Sequence, residues 1–293
     1  MPEPTLRFED INGVRLACWE RGVPSADQPT LLFVHATGFH GRVFDRLLES
    51  FPDHHSLCLE QRGHGRSEKV RIEHWRTQGE DVAEWVRTLG LKNVIGVGHS
   101  MGAHALIDAA ANCDAFSQLL LLDPTVASPA SYAEGGAATE VDEHPAARRR
   151  AEFASPEEMI ERLRPKGAYG LFEERILDDY CRYGLLPTAD GRYELACPPA
   201  VEASVYMTSR TNPGILDSAR AIEVPVRILR AMEPPTDADR MNFSYSPTWP
   251  GLVELFKQGE ETYLADCTHF IPMQMPDLVI EAIRGEIDRW QTT

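Results

Sequence analysis

The sequence predicts an α/β protein in which a mainly parallel central β-sheet is flanked by helices. Its short, continuous apolar runs are typical of strands that are buried on both faces. These runs alternate with segments that carry apolar residues at helical spacing, and this alternation indicates parallel strands joined by helices. Near the start of the chain, alternating residues on either side of Asn12-Gly13 predict a β-hairpin.

The predicted elements follow one another along most of the chain. The hairpin joins residues 5–8 to residues 14–20, and helices are predicted near 77–89, after residue 100 and over 276–290. The remaining strands are predicted at 31–34, 56–59, 94–97, 119–122, 226–229 and 262–264.

Residues 126–221 interrupt this alternation. They contain a helix start at Ser155-Pro156, where serine is a good N-cap and proline suits the first turn, and they show no convincing buried strand. We therefore predict a core formed by residues 1–125 and 222–293, with a mostly helical cap inserted at 126–221. The run Arg148-Arg149-Arg150 within it is interpreted as a solvated helix face.

The composition excludes several classes of partner. A net charge of −16 argues against nucleic acid or an anionic membrane as the main partner, since both attract a basic surface. We see no signal peptide and no apolar stretch near the roughly 20 residues that span a membrane, so a cytoplasmic location is expected. The six cysteines are dispersed without a CxxC pair, and the histidines lack metal-ligand spacing, so neither a metal nor a cofactor is predicted.

One strand-to-helix corner carries the strongest chemical signal. The stretch Gly98-His99-Ser100-Met101-Gly102 fits the G-x-S-x-G pattern, in which a strained turn exposes a serine hydroxyl at the start of a helix. The free N–H groups of that helix favour negative charge beside the serine. A dinucleotide-binding fingerprint is disfavoured, because one residue too many precedes Gly102 and no acidic residue follows at a suitable distance.

Three further segments resemble those of the α/β-hydrolase superfamily and occur in the same order as in that superfamily. The resemblance extends over nearly the whole chain. Residues 31–39, LLFVHATGF, resemble the family's apolar strand and oxyanion loop, with Ala36 in place of the usual glycine. Residues 60–67, EQRGHGRS, resemble its D-x-R-G-x-G-x-S segment, with Glu60 in place of aspartate. Residues 268–272, THFIP, resemble its catalytic histidine loop.

The resemblance implies a serine nucleophile, Ser100, and a histidine base, His269, and it leaves the acid open. In most relatives an aspartate follows the strand that corresponds to 226–229, where this chain has Glu233 one position early and Asp237 several positions late. Some branches carry the acid at the end of the previous strand, which here is Asp123. Asp123 and Glu233 are therefore equal candidates, and Asp237 is the third.

The resemblance also implies the rest of a hydrolytic site. The backbone N–H groups of Thr37 and Met101 would form the oxyanion hole, and His99 would be a packed neighbour of the serine. The expected function is hydrolysis of a small or medium carboxylic ester through an acyl-serine intermediate. A lactone hydrolase, a carbon–carbon bond hydrolase and a binding protein without turnover are the alternatives. The expected pocket-lining aromatic residues are Phe39, Phe172, Tyr206 and Trp249.

Overall fold

A computed structural model of the chain describes residues 3–135, 144–235 and 243–292, and an eight-stranded β-sheet lies at its centre. Its strand order is β1-β2-β4-β3-β5-β6-β10-β11, in which β1 and β2 form an antiparallel hairpin, β2 pairs antiparallel with β4, and all other pairs are parallel. The strands of the described residues are β1 (Thr5–Ile11), β2 (Val14–Arg21), β3 (Thr30–Val34), β4 (Ser56–Glu60), β5 (Val94–His99), β6 (Phe116–Leu122), β7 (Glu152–Phe153), β8 (Leu185–Pro187), β9 (Tyr193–Leu195), β10 (Val226–Arg230) and β11 (Gly259–Tyr263).

Helices cover both faces of this sheet. The α-helices of the described residues are α1 (Asp45–Leu48), α2 (Arg76–Thr88), α3 (Met101–Asn112), α4 (Pro129–Ala133), α5 (Pro156–Leu163), α6 (Glu174–Tyr183), α7 (Pro199–Met207), α8 (Ile215–Ala221), α9 (Ile271–Gln274) and α10 (Pro276–Gln291). Short 3₁₀ helices span Gly41–Phe44, Pro145–Arg148, Gly167–Leu171 and Pro250–Leu255.

Alternate residues of the central strands divide the core into two layers. Phe33 and Val97 pack with α1 and α10 on one face, whereas Leu32 and Val34 pack with α2, α3 and α8 on the other. All of these side chains are buried, as expected for parallel strands that are covered on both faces. The predicted fold class is confirmed.

The boundaries of several elements differ from the sequence prediction by a few residues. Strand β6 begins at Phe116, three residues before the predicted start. Strand β11 spans Gly259–Tyr263, whereas the sequence predicts a strand at 262–264. The hairpin is longer than predicted and pairs Ile11 with Val14 around the Asn12-Gly13 turn. Both turn residues have positive φ, as this type of turn requires.

The segment 126–221 joins β6 to β10, which are neighbours in the large sheet. Its described part holds α4 to α8, together with an antiparallel sheet of order β7-β9-β8 that the sequence did not predict. These three strands are two or three residues long and only partly buried, so they leave no apolar run in the sequence.

Two further observations concern the molecule as a whole. All six cysteines are free and buried, where the thiols pack as small apolar groups. Among the described residues, no helix is both long and apolar enough to cross a membrane.

Candidate active site

The corner between β5 and α3 has the geometry that its glycines predict. Ser100 lies between the last residue of β5 and the first of α3, with φ 57° and ψ −116°, a strained conformation for a residue with a side chain. A Cβ atom at Gly102 would lie 2.1 Å from the carbonyl oxygen of Val34, and one at Gly98 would lie 2.6 Å from the Cα of Ala103. Only glycine allows the helix to start this close to the strands.

Ser100, His269 and Asp123 form a hydrogen-bonded row at the carboxyl ends of the parallel strands. Ser100 Oγ lies 2.9 Å from His269 Nε2, and His269 Nδ1 lies 2.6 Å from Asp123 Oδ2. The three residues are 6%, 3% and 0% exposed, respectively. A serine in this arrangement passes its proton to the imidazole, which the carboxylate orients and stabilises.

Asp123 is held in place by two donors besides the histidine. Its Oδ1 accepts hydrogen bonds from the backbone N–H of Ala231 at 3.0 Å and from Ser246 Oγ at 2.5 Å. Thr248 Oγ1 lies 3.1 Å from the same oxygen and donates its single hydrogen to the closer carbonyl of Pro124, at 2.7 Å. Asp123 follows β6 directly and has φ 48°, a left-handed conformation that aspartate tolerates better than most residues.

The structure brings one of the candidate acids to His269 and places another elsewhere. The carboxylate of Glu233 is half-exposed and pairs with Arg230 at 2.6 Å, three residues earlier in the chain. It therefore does not share the position of Asp123, although the sequence left the two equal. Asp237 lies outside the described residues.

His99, the residue before Ser100, holds the histidine loop in place. His99 Nε2 lies 2.9 Å from the carbonyl oxygen of His269, so this nitrogen carries the hydrogen and donates it. Burial lowers the pKa of His99 to about 3, which keeps its ring neutral. On the other side of the loop, Thr268 Oγ1 donates to Gln274 Oε1 at 2.8 Å. His99 is therefore a buried neighbour of Ser100, as expected.

The loop after β3 lies against the start of α3. The backbone N–H of Phe39 donates to the carbonyl of Ala36 at 3.1 Å, which closes a turn with Gly38 at φ 78°. This turn brings Thr37 to the first residue of α3, where Thr37 Oγ1 contacts Met101 Sδ at 3.6 Å. The N–H of Met101 is among the first four of the helix, which have no acceptor within the helix.

An aromatic cluster extends from His269 into the segment 126–221. Phe243 is 40% exposed, and its ring stacks on His269 with centroids 6.1 Å apart. Tyr206 contacts Phe243 at 5.7 Å, and both Phe39 and Phe172 contact Phe270, at 5.8 and 5.2 Å. Trp249, the fourth expected lining residue, packs instead with the core on the face of α2, α3 and α8.

A partly buried ion pair lies beside Gly38. Arg149 Nη1 contacts Glu202 Oε2 at 2.5 Å, and burial raises the pKa of the Glu202 carboxyl. The interpretation of 148–150 as a solvated face is therefore wrong for Arg149, although Arg148 and Arg150 are exposed. A small cavity of about 10 Å³, room for about one water molecule, adjoins this pair and is lined by Gly38, Phe39, Tyr180, Cys197 and neighbouring residues.

Three hydroxyl residues of the site were missed in the sequence. Thr125 contacts Ser100, and Ser246 and Thr248 contact Asp123. Thr125 stands two residues after Asp123, a proximity that could have drawn attention to it. Ser246 and Thr248 are more than 120 residues from Asp123 and carry no sequence signal.

A parallel sheet with a serine at a strand-to-helix corner, a histidine before the last helices and a carboxylate at a strand end defines an α/β hydrolytic architecture. Residues 31–282 match the model of the alpha/beta hydrolase family, and the chain belongs to this family. Within the described residues, no group of three or more histidine, cysteine, aspartate or glutamate side chains is arranged to hold a metal ion.

Known relatives support the same assignment. The chain is 34% identical over 107 residues to 2-(acetamidomethylene)succinate hydrolase of Mesorhizobium japonicum, a match that covers 36% of this chain and 37% of the relative. It is 26% identical over 264 residues to lipase LipV of Mycobacterium tuberculosis, covering 88% and 92% of the two chains. The crystal structure of E-2-(acetamidomethylene)succinate hydrolase superposes with a TM-score of 0.77 at 21% identity, covering 97% of this chain and 99% of the other. Membership of a family with relatives named hydrolase and lipase supports a hydrolytic function.

Proposed function

We propose that the chain is a serine hydrolase that cleaves a small or medium carboxylic ester through an acyl-serine intermediate. The observation that carries this proposal is the unbroken row from Ser100 Oγ to His269 to Asp123, with distances of 2.9 and 2.6 Å. Both lie within hydrogen-bonding range, so the proton path needs no rearrangement of these side chains.

The chemistry follows from this row. His269 accepts the hydroxyl proton of Ser100 as Oγ attacks the ester carbonyl, and it then donates that proton to the departing alcohol. Water, deprotonated by the same imidazole, attacks the acyl-serine and releases the acid. Asp123 holds Nδ1–H toward itself throughout and stabilises the imidazolium that forms.

The oxyanion of each tetrahedral intermediate is assigned to the backbone N–H groups of Met101 and Thr37. Support comes from the contact between the two side chains and from the position of Met101 at the start of α3. In serine hydrolases the loss of one such donor raises the barrier by about 3 kcal/mol.

The surroundings of the row favour a compact, largely apolar substrate. Phe243 and Phe270 flank His269. The cavity beside Gly38, at about 10 Å³, has room for no more than about one water molecule, so the substrate contacts are assigned to these aromatic rings. We propose that the segment 126–221, which supplies Tyr180 and Tyr206 to this region, acts as the cap over the site.

Hydrolysis of p-nitrophenyl esters of increasing acyl length tests the proposal. Wild type should turn over the short esters, and Ser100→Ala should lose this activity. Ser117→Ala is the matched control, because its hydroxyl bonds the carbonyl of Val94 at the opposite end of the sheet. Equal rates for wild type and Ser100→Ala would refute the proposal, as would a folded wild type that is inert toward every ester and toward a fluorophosphonate.

An amide substrate is the second candidate, because one relative is named for the hydrolysis of an acetamido compound. The same serine, histidine and aspartate serve amide and ester cleavage alike. The assay panel therefore includes 2-(acetamidomethylene)succinate and a simple lactone. Turnover of the first at a higher kcat/KM than any ester would reassign the substrate class and leave the role of Ser100 intact.

A further inference from the structure

The hydroxyl of Ser100 has a second polar neighbour besides His269. Thr125 Oγ1 lies 3.0 Å from Ser100 Oγ, and Thr125 follows Asp123 by two residues on the loop that leaves β6. The side chains of His269 and Thr125 therefore both contact the reacting oxygen atom, whereas only His269 has a role in the proposed ester hydrolysis.

The direction of this hydrogen bond follows from the donors and acceptors of its neighbours. The Asp123 carboxylate accepts only, so His269 Nδ1 carries the hydrogen and Nε2 of the neutral ring has a free lone pair. Ser100 therefore donates its single hydrogen to Nε2. The contact with Thr125 is then a donation from the threonine hydroxyl to the serine oxygen.

Thr125 is anchored at both ends of its backbone. Its N–H donates to the carbonyl of Ser100 at 3.2 Å, and its carbonyl oxygen lies 2.9 Å from His104 Nδ1. The other ring nitrogen of His104 faces Asn212 Nδ2 at 3.1 Å, which fixes Nδ1 as the donor. His104 is fully buried, and burial lowers its pKa and keeps the ring neutral. The backbone of Thr125 is thus held beside Ser100 by hydrogen bonds to Ser100 and to His104 in the first turn of α3.

We propose that Thr125 is a further catalytic residue, whose hydroxyl stabilises the negative charge that develops on Ser100 Oγ. This inference rests on the proposed serine chemistry. In acylation the O–H bond of Ser100 breaks, its proton goes to His269 Nε2 and the bond from Oγ to the acyl carbon forms. In deacylation that bond breaks, and Oγ again carries negative charge until it regains a proton from His269. Thr125 keeps its own proton in both steps.

Three variants test the inference with a short-chain p-nitrophenyl ester and a fluorophosphonate. Thr125→Val removes the hydroxyl and keeps the shape, and we expect kcat and the rate constant of labelling to fall at least about tenfold. KM should change by less than about twofold, since the hydrogen bond acts on the serine rather than on the substrate. Thr125→Ser keeps the hydroxyl and should stay within about threefold of wild type.

Thr30→Val is the matched control, because it removes a buried hydroxyl that bonds His55 instead of the site. If Thr125→Val does not fold, Thr125→Ala compared with Thr125→Ser isolates the hydroxyl in a pair that lacks the methyl group. Wild-type rates in Thr125→Val would overturn the inference, as would equal losses in the serine and valine variants. A wild type that neither hydrolyses nor labels would instead overturn the proposed function.

Discussion

Replacement of Asp123 by asparagine should disable the site through the tautomer of His269. Two donors face Oδ1, the backbone N–H of Ala231 and the hydroxyl of Ser246, so the amide oxygen of asparagine will occupy that side. The amide NH₂ then takes the place of Oδ2 and points at His269 Nδ1, 2.6 Å away in the wild type. It can only donate there, which moves the ring hydrogen to Nε2.

A histidine with its hydrogen on Nε2 cannot accept the proton of Ser100. In serine hydrolases the corresponding exchange lowers kcat by about ten-thousandfold without loss of the fold. We expect a loss of that order, or about 5.5 kcal/mol in the barrier at about 1.4 kcal/mol per factor of ten. Steady-state hydrolysis of a short-chain p-nitrophenyl ester measures it, and circular dichroism verifies the fold.

Glu233→Gln is the control for this prediction. It weakens a half-exposed pair with Arg230 and should change kcat by less than about threefold. A kcat of Asp123→Asn within tenfold of the wild-type value would show that Asp123 does not set the tautomer of His269. A loss in Glu233→Gln equal to that in Asp123→Asn would do the same.

Three other results are expected. Gly38→Ala should lower kcat about tenfold with the fold retained, because φ at Gly38 is 78° and the new Cβ would lie 3.0 Å from Glu202 Oε1. A wild-type kcat in this variant would contradict the role assigned to the loop after β3 in the oxyanion hole. Phe243→Ala should raise KM for aryl esters about fivefold, since an aromatic contact beside His269 is lost. An unchanged KM would show that Phe243 does not contact the substrate. In urea titrations the free energy of unfolding should fall as the pH drops from 6.5 toward 4, because burial lowers the pKa of five fully buried histidines and the unfolded chain binds the protons that they exclude: His35, His40, His64, His99 and His104. Burial raises the pKa of Asp179 to about 7 and also raises the pKa of Glu202 and Glu286, and these three carboxyls oppose the trend. A stability that is constant from pH 7.5 to 4.5 would contradict the neutral state of the five rings.

The sequence was informative where one local pattern determines one local structure. The buried strands are continuous apolar runs, and the corner at Ser100 needs glycines at 98 and 102 for steric reasons that any such corner shares. These features therefore predicted the sheet and the position of the serine.

The identity of the acid depends on long-range packing instead. Asp123 and His269 are 146 residues apart, and the loops after β6 and β10 start side by side because these two strands are parallel neighbours. Local sequence does not distinguish the two loops, whereas the hydrogen bonds around Asp123 do. The small sheet β7-β9-β8 was missed for a related reason, since strands of two or three residues leave no periodicity to detect.

Mass spectrometry of the protein after reaction with a fluorophosphonate tests whether Ser100 is the nucleophile. We expect one covalent adduct per chain, located on the peptide that contains Ser100, and no adduct in Ser100→Ala. A folded wild type that stays unlabelled, or an adduct on another residue with Ser100 unmodified, would contradict it.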